Sequence, residues 1–205
     1  MPHCRPFASI CQPAIGPALR SWLHGLLLGL LTLYGMGANQ QACAVTAPAA
    51  IAASWRAELP AAIRLGGGEL RWFGLRIYHA TLWAEQQPFQ PQRAFALQLQ
   101  YHRSISRERL ADTSLDEIRR LSRKLPDSAT LSRWRSTLLN AFTDVSAGDE
   151  LIGVYRPGLG MRLYNQHQLL AEIDDPALAQ AFFGIWLDER SHDQALRQQL
   201  MGATP

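Results

Sequence analysis

From Gly66 to Glu85 apolar residues fall on both alternate sets of positions over an unusually long run. Three glycines open it, and aromatic and branched residues dominate the rest of the run, which predicts a turn and then a strand. Alternation puts Arg71, Phe73, Leu75, Ile77, His79, Thr81 and Trp83 on one face. Leu70, Trp72, Gly74, Arg76, Tyr78, Ala80 and Leu82 fall on the other. Both faces are largely apolar, so the pattern predicts one central strand covered on both sides. Arg71 is then out of place. On an apolar face an arginine must snorkel, find an acid such as Glu69, or meet a ligand.

A short strand over 61–65 precedes this run, and Phe95 to Tyr101 alternates cleanly after a loop bearing Pro88 and Pro91. Three strands without an intervening helix predict antiparallel pairing. The period then changes. Ser106 is placed to cap a short helix through Asp112, and Ser114 with Glu117 forms a capping box for a second, with Leu115, Ile118, Leu121 and Leu125 at helical spacing. Pro126-Asp127 ends it. Thr130 is placed to cap the next helix, whose stripe is Leu131, Trp134, Leu138 and Phe142.

Strands return at 150–156, 161–165 and 169–173, with a turn at Pro157-Gly158-Leu159-Gly160. Asp175 is placed to cap a last long helix with Pro176 at its first position, and Ser191 a final amphipathic piece. Strands, helices, strands, helix is a segregated order. It predicts an α+β fold: an open-faced β-sandwich with a large antiparallel sheet and a layer of helices on one face.

Charge narrows the functional classes. The net charge is only +3. Of the 20 basic residues Arg5 and Arg20 precede residue 45, while none of the 17 acidic ones does, so the remainder is nearly neutral. That is no footprint for nucleic acid. The first 44 residues read as a cleaved signal peptide. Arg5 and Arg20 supply the positive region, Leu23 to Met36 the apolar region, and Ala42-Cys43-Ala44 the cleavage site. The apolar run falls short of the roughly twenty residues a spanning helix needs, and an uncleaved anchor is the alternative. Residues 45–60 read as an Ala- and Pro-rich leader and 61–205 as the domain. This order predicts a periplasmic or secreted location, with no membrane span once the signal is removed. Cys4, Cys11 and Cys43 all lie in the signal segment, so the mature chain offers no disulfide and no thiol nucleophile.

The remaining histidines, His79, His102, His167 and His192, have no metal-ligand spacing. Gly66-Gly67-Gly68 lacks the lysine and helix start of a phosphate loop. No nucleophile elbow occurs. No metal and no cofactor are expected. What stands out is Arg71, with Tyr78 and Tyr101 as companions. An arginine fork and a tyrosine hydroxyl in an apolar cleft suit a carboxylate or an enolate oxygen.

Three stretches resemble bacterial chalcone isomerase-like proteins: residues 66–83, the strand-to-helix passage from Leu97 through Tyr101-His102-Arg103-Ser104 to Leu121, and Asp174-Asp175-Pro176 through Phe182-Phe183-Gly184-Ile185-Trp186-Leu187. The resemblance spans roughly residues 55–201. It implies the same open-faced sandwich with a cleft between sheet and helices. It implies Arg71, or Arg64, as the family's sheet arginine, with either a chalcone-cyclising isomerase (an intramolecular lyase) or a fatty-acid binder around it. Phe73 stands where plant enzymes carry a threonine, residues 126–130 lack their tyrosine, and Leu178 falls where their last-helix hydroxyl lies. The resemblance therefore implies binding of a small amphipathic carboxylate rather than cyclisation. The expected ligand residues are Arg71, Tyr101, Tyr78 and Arg64, and the expected partner is a small apolar or amphipathic molecule. Oligomeric state is left open.

Overall fold

Phe73 and Gly74 turn the chain back on itself, with φ of 47° and 79°. What alternation presents as one strand is a hairpin: β1 (Ile63–Trp72) and β2 (Leu75–Ala84), joined by two residues. Two positive φ values mark the hairpin turn whose twist matches the flanking strands. The usual sequence sign is Asn-Gly or Asp-Gly, and a phenylalanine in the first position hides it. Trp72 pairs with Leu75 and Glu69 with His79, and a register shift falls between Leu70 and Arg71. The structure, a computed structural model, describes residues 54–202. The expected signal peptide and its cleavage site lie outside the described residues, as does most of the leader.

The other elements are β3 (Phe95–Tyr101), α1 (Arg107–Leu121), α2 (Ser128–Ala141), β4 (Glu150–Arg156), β5 (Gly160–Tyr164), β6 (Leu169–Ile173), α3 (Pro176–Leu187) and α4 (Gln194–Leu200). All six strands form one antiparallel sheet in sequence order. The fold is the α+β open-faced sandwich that the segregated order predicts. Among the described residues no helix is long and apolar enough to cross a membrane.

Two corrections concern β1. It is an edge strand rather than a central one. Gly66-Gly67-Gly68 also lies within it rather than forming a turn. A Cβ on Gly66 would sit 2.0 Å from the Gln199 carbonyl oxygen, and one on Gly68 would sit 1.8 Å from the Gln199 side chain. The glycines let α4 lie directly on the strand.

Helix ends differ in detail from expectation. Ser106 caps α1, which runs unbroken through Ser114, and the Ser114 hydroxyl bonds the Leu110 carbonyl instead of opening a new helix. Asp127, not Thr130, caps α2 and accepts from the Thr130 amide at 2.8 Å. Asp193, not Ser191, caps α4. Asp175 caps α3 as its pairing with Pro176 predicts, accepting from the Leu178 amide.

The inner face of the sheet contributes Tyr78, Ala80 and Leu82 from β2 and Phe95, Leu97, Leu99 and Tyr101 from β3 to the main core. Leu115, Ile118, Leu138, Leu178, Phe182 and Phe183 meet them from the helices. The outer face carries a smaller cluster, Trp55, Leu59, Ala96, Ile152, Val154 and Tyr164. Composition alone places Trp55 and Leu59 in the leader, yet both are buried against the sheet. α3 lies over β4 and β5, and α4 over β1 and β2, whereas α1 packs chiefly on α2 and α3. Space is left beneath α1.

Candidate functional site

That space is a cavity of about 670 Å³. Its size and apolar character suit a small molecule rather than a macromolecule. Tyr78, Leu99 and Tyr101 form its floor, Leu110, Phe182 and Trp186 line its wall, and Trp72, Arg103, Arg109 and His192 stand among its remaining lining residues.

The two tyrosines arrive by strand pairing. Tyr78 and Tyr101 are directly opposed in the β2–β3 ladder, and their rings meet edge to face at 5.8 Å. The Tyr78 hydroxyl accepts a 2.8 Å hydrogen bond from Trp186 Nε1. The Tyr101 hydroxyl bonds no described residue. Arg162 Nε, on the other face, is the only sealed side-chain polar atom without a partner among the described residues. Tyr101 lines the cavity although the residue as a whole is only 2% exposed. Burial pushes both phenols above their ordinary range, and at Tyr78 the indole bond partly opposes it. Both stay protonated at neutral pH. A protonated phenol donates to an anion and is no general base.

Arg103 follows β3 by two residues, and Arg109 sits in the first turn of α1. Both are exposed, line the cavity, and make no ion pair with a described residue. The acids nearby are committed. Glu117 pairs with Arg120 at 2.7 Å, and the Asp193 carboxylate caps α4. Sequence reasoning passed over both arginines. The available signal was Arg109, because a cation in a helix's first turn opposes the macrodipole.

The four expected ligand residues divide evenly. Tyr78 and Tyr101 come together in the cavity. Arg71 lies beside the hairpin tip, exposed and unpaired among the described residues, and does not line the cavity. Its expected partner Glu69 is taken instead by Arg76, at 2.8 and 3.0 Å, with His79 and His102 on the same carboxylate. Arg64 is exposed on β1 opposite Trp83, away from the cavity. Phe73 and Gly74 account for the displacement of Arg71, since the strand to which alternation assigned it ends at Trp72. Among the described residues no group of acids, histidines and cysteines is placed to hold a metal ion.

One antiparallel sheet, helices on a single face and a tyrosine-floored apolar cavity between them define an open-faced β-sandwich of the ligand-cavity kind. Residues 61–202 match the chalcone isomerase-like family, and the chain belongs to it. An uncharacterized protein of Haemophilus influenzae is 32% identical over 141 residues, 68% of either chain. The crystal structure of a fatty-acid binding protein from Arabidopsis thaliana superposes with a TM-score of 0.53 at 11% identity, covering 69% of this chain and 87% of that one. The likeness to the Arabidopsis structure is one of fold.

Proposed function

We propose that this chain is an exported, non-catalytic binder of a small amphipathic carboxylate such as a fatty acid. The tail lies in the cavity, and the head group meets the Tyr101 hydroxyl with Arg103 or Arg109. The carrying observation is a protonated hydroxyl without a partner among the described residues, in an apolar cavity whose lining includes two arginines that make no ion pair with a described residue. A carboxylate has two oxygens to accept from a phenol and a guanidinium, and charge-assisted bonds of this kind are about twice as strong as neutral ones. The fatty-acid binding of the Arabidopsis neighbour supports the same class of ligand. The arginine, apolar and cleavage-type order of residues 1–44 supports action in the periplasm or outside the cell.

Titration calorimetry with laurate tests the reading. Saturable binding is expected, weakened more than about tenfold by Tyr101→Phe combined with Arg103→Gln and Arg109→Gln. Dodecanol is expected to bind less tightly than laurate. Equal affinity for the two, or no binding of either, overturns it. Amino-terminal sequencing of the exported protein is expected to begin at Val45.

A further inference from the structure

The hairpin tip breaks two local rules at once. Phe73 holds a positive φ of 47°, a conformation that a bulky side chain adopts only under strain. It is also 90% exposed, and its ring meets only the half-exposed Trp72, edge to face at 5.2 Å, so no core burial offsets that strain. Its neighbours Trp72 and Leu75 are 54% and 51% exposed. Asparagine would suit the turn better and would be soluble. A large apolar residue that neither the turn nor the core requires is explained by something that covers it.

The surroundings say what. Arg71 flanks the tip, exposed and without an ion pair among the described residues. Trp72 lines the cavity together with Arg103 and Arg109, so the apolar tip is continuous with the cavity's edge. Glu69, the acid nearest in the hairpin, is neutralised by Arg76. An apolar projection flanked by unpaired cations matches an anionic lipid surface, with rings and leucine at the acyl boundary and guanidiniums at the head groups.

We propose that the β1–β2 tip is a membrane-docking finger, inserting Phe73 and Leu75 into an anionic bilayer and bringing the cavity edge to the lipid surface. The finger is distinct from the cavity reading, since Phe73 and Leu75 do not line the cavity.

Co-sedimentation of the purified protein with vesicles tests it, using phosphatidylglycerol–phosphatidylcholine mixtures and pure phosphatidylcholine. Every variant keeps the same amino terminus, so differences belong to the tip. Wild type is expected to partition onto anionic vesicles and to release at high salt. Phe73→Asn with Leu75→Ser is expected to lose more than about tenfold in partition. Phe73→Asn alone is expected to melt at the same or a higher temperature, and its laurate titration is expected to be unchanged. Arg71→Gln is expected to weaken binding to anionic vesicles alone. A double variant that partitions as wild type does, or a wild type that ignores both vesicle types as a protein-docking tip would, overturns the finger. Failure of laurate binding leaves the vesicle result standing and overturns only the cavity reading.

Discussion

The indole Nε1 of Trp186 donates a 2.8 Å hydrogen bond to the Tyr78 hydroxyl, tying the end of α3 to the inner face of β2 across 108 residues of sequence. The bond fixes one of the cavity's two phenols to structure and leaves the other free. The same substitution should therefore act differently at the two sites. Tyr78→Phe leaves a buried indole donor without an acceptor, at a cost of about 1–3 kcal/mol in urea unfolding. Tyr101→Phe should stay within about 0.5 kcal/mol of wild type, with its effect appearing in laurate affinity. A reversed order of the two stabilities would contradict the hydrogen bonding described.

Asp175 also does two things. One carboxylate oxygen caps α3 through the Leu178 amide at 2.9 Å, and the other accepts from Trp134 Nε1 at 2.8 Å. Asp175→Ala loses a cap and strands an indole donor, a combined loss of about 2–3 kcal/mol. Asp175→Asn keeps one acceptor oxygen but turns an NH2 donor towards the other N–H, so it should recover about half of that loss, keeping either the cap or the indole bond. Chemical denaturation of both variants decides the point.

Glycine substitutions in the β1–β2 hairpin separate close approach from turn strain. A methyl group at Gly66 meets backbone atoms of Gln199, Leu200 and Gly202, none of which is a flexible side-chain end. Gly66→Ala should cost about 2 kcal/mol or more and loosen α4, which faster amide exchange in 194–200 would report. Gly74→Ala meets nothing within 4 Å but keeps a φ of 79°. Its cost should be the conformational one, about 1–2 kcal/mol, with α4 undisturbed.

Acid should weaken the hairpin. The Arg76 guanidinium, followed by His79 and then the charge of His102, holds the Glu69 carboxyl down at about 2, against an ordinary 4.5. A folded-state value below the unfolded one means stability that is present above the ordinary carboxylate range. It is lost as pH falls from about 5 towards 2. The group is partly solvated, so the contribution is of order 1 kcal/mol. The stability difference between wild type and Glu69→Gln, measured by urea unfolding, should be present at pH 7 and shrink towards pH 3. A difference that grows on acidification would reverse the sign.

The sequence made the fold class legible because the period of the apolar residues changes twice, from two to 3.6 and back. It also exposed Tyr101, which ends a clean alternating strand. It hid the hairpin for a physical reason. The two-residue turn pairs positions of opposite parity, Trp72 with Leu75. The register shift between Leu70 and Arg71 restores the phase from Leu70–Tyr78 onward, so alternation reads straight through the reversal. Phe73 removed the asparagine or aspartate that would have marked the turn. Arg71 was misplaced in consequence. Arg103 and Arg109 were overlooked because they follow a strand and open a helix, where no single face is defined. The glycines of β1 look like a turn in sequence because a close helix approach is a fact about Gln199 and Leu200, more than a hundred residues later.

The contact between β1 and α4 has a kinetic meaning. Each neighbouring pair of strands in the sheet is joined in sequence order, and four of the five pairs need only a short connection. Only the seating of α4 on the glycines of β1 brings together the first strand and the last helix of the described domain. Loop closure over such a separation is slow and costly in chain entropy. A chain that emerges amino end first can form its hairpins as it appears, while Leu196 of α4 reaches the cavity wall only when the helix docks. The cavity wall at Leu196 thus depends on a contact between two elements more than a hundred residues apart, the one whose closure costs most in chain entropy.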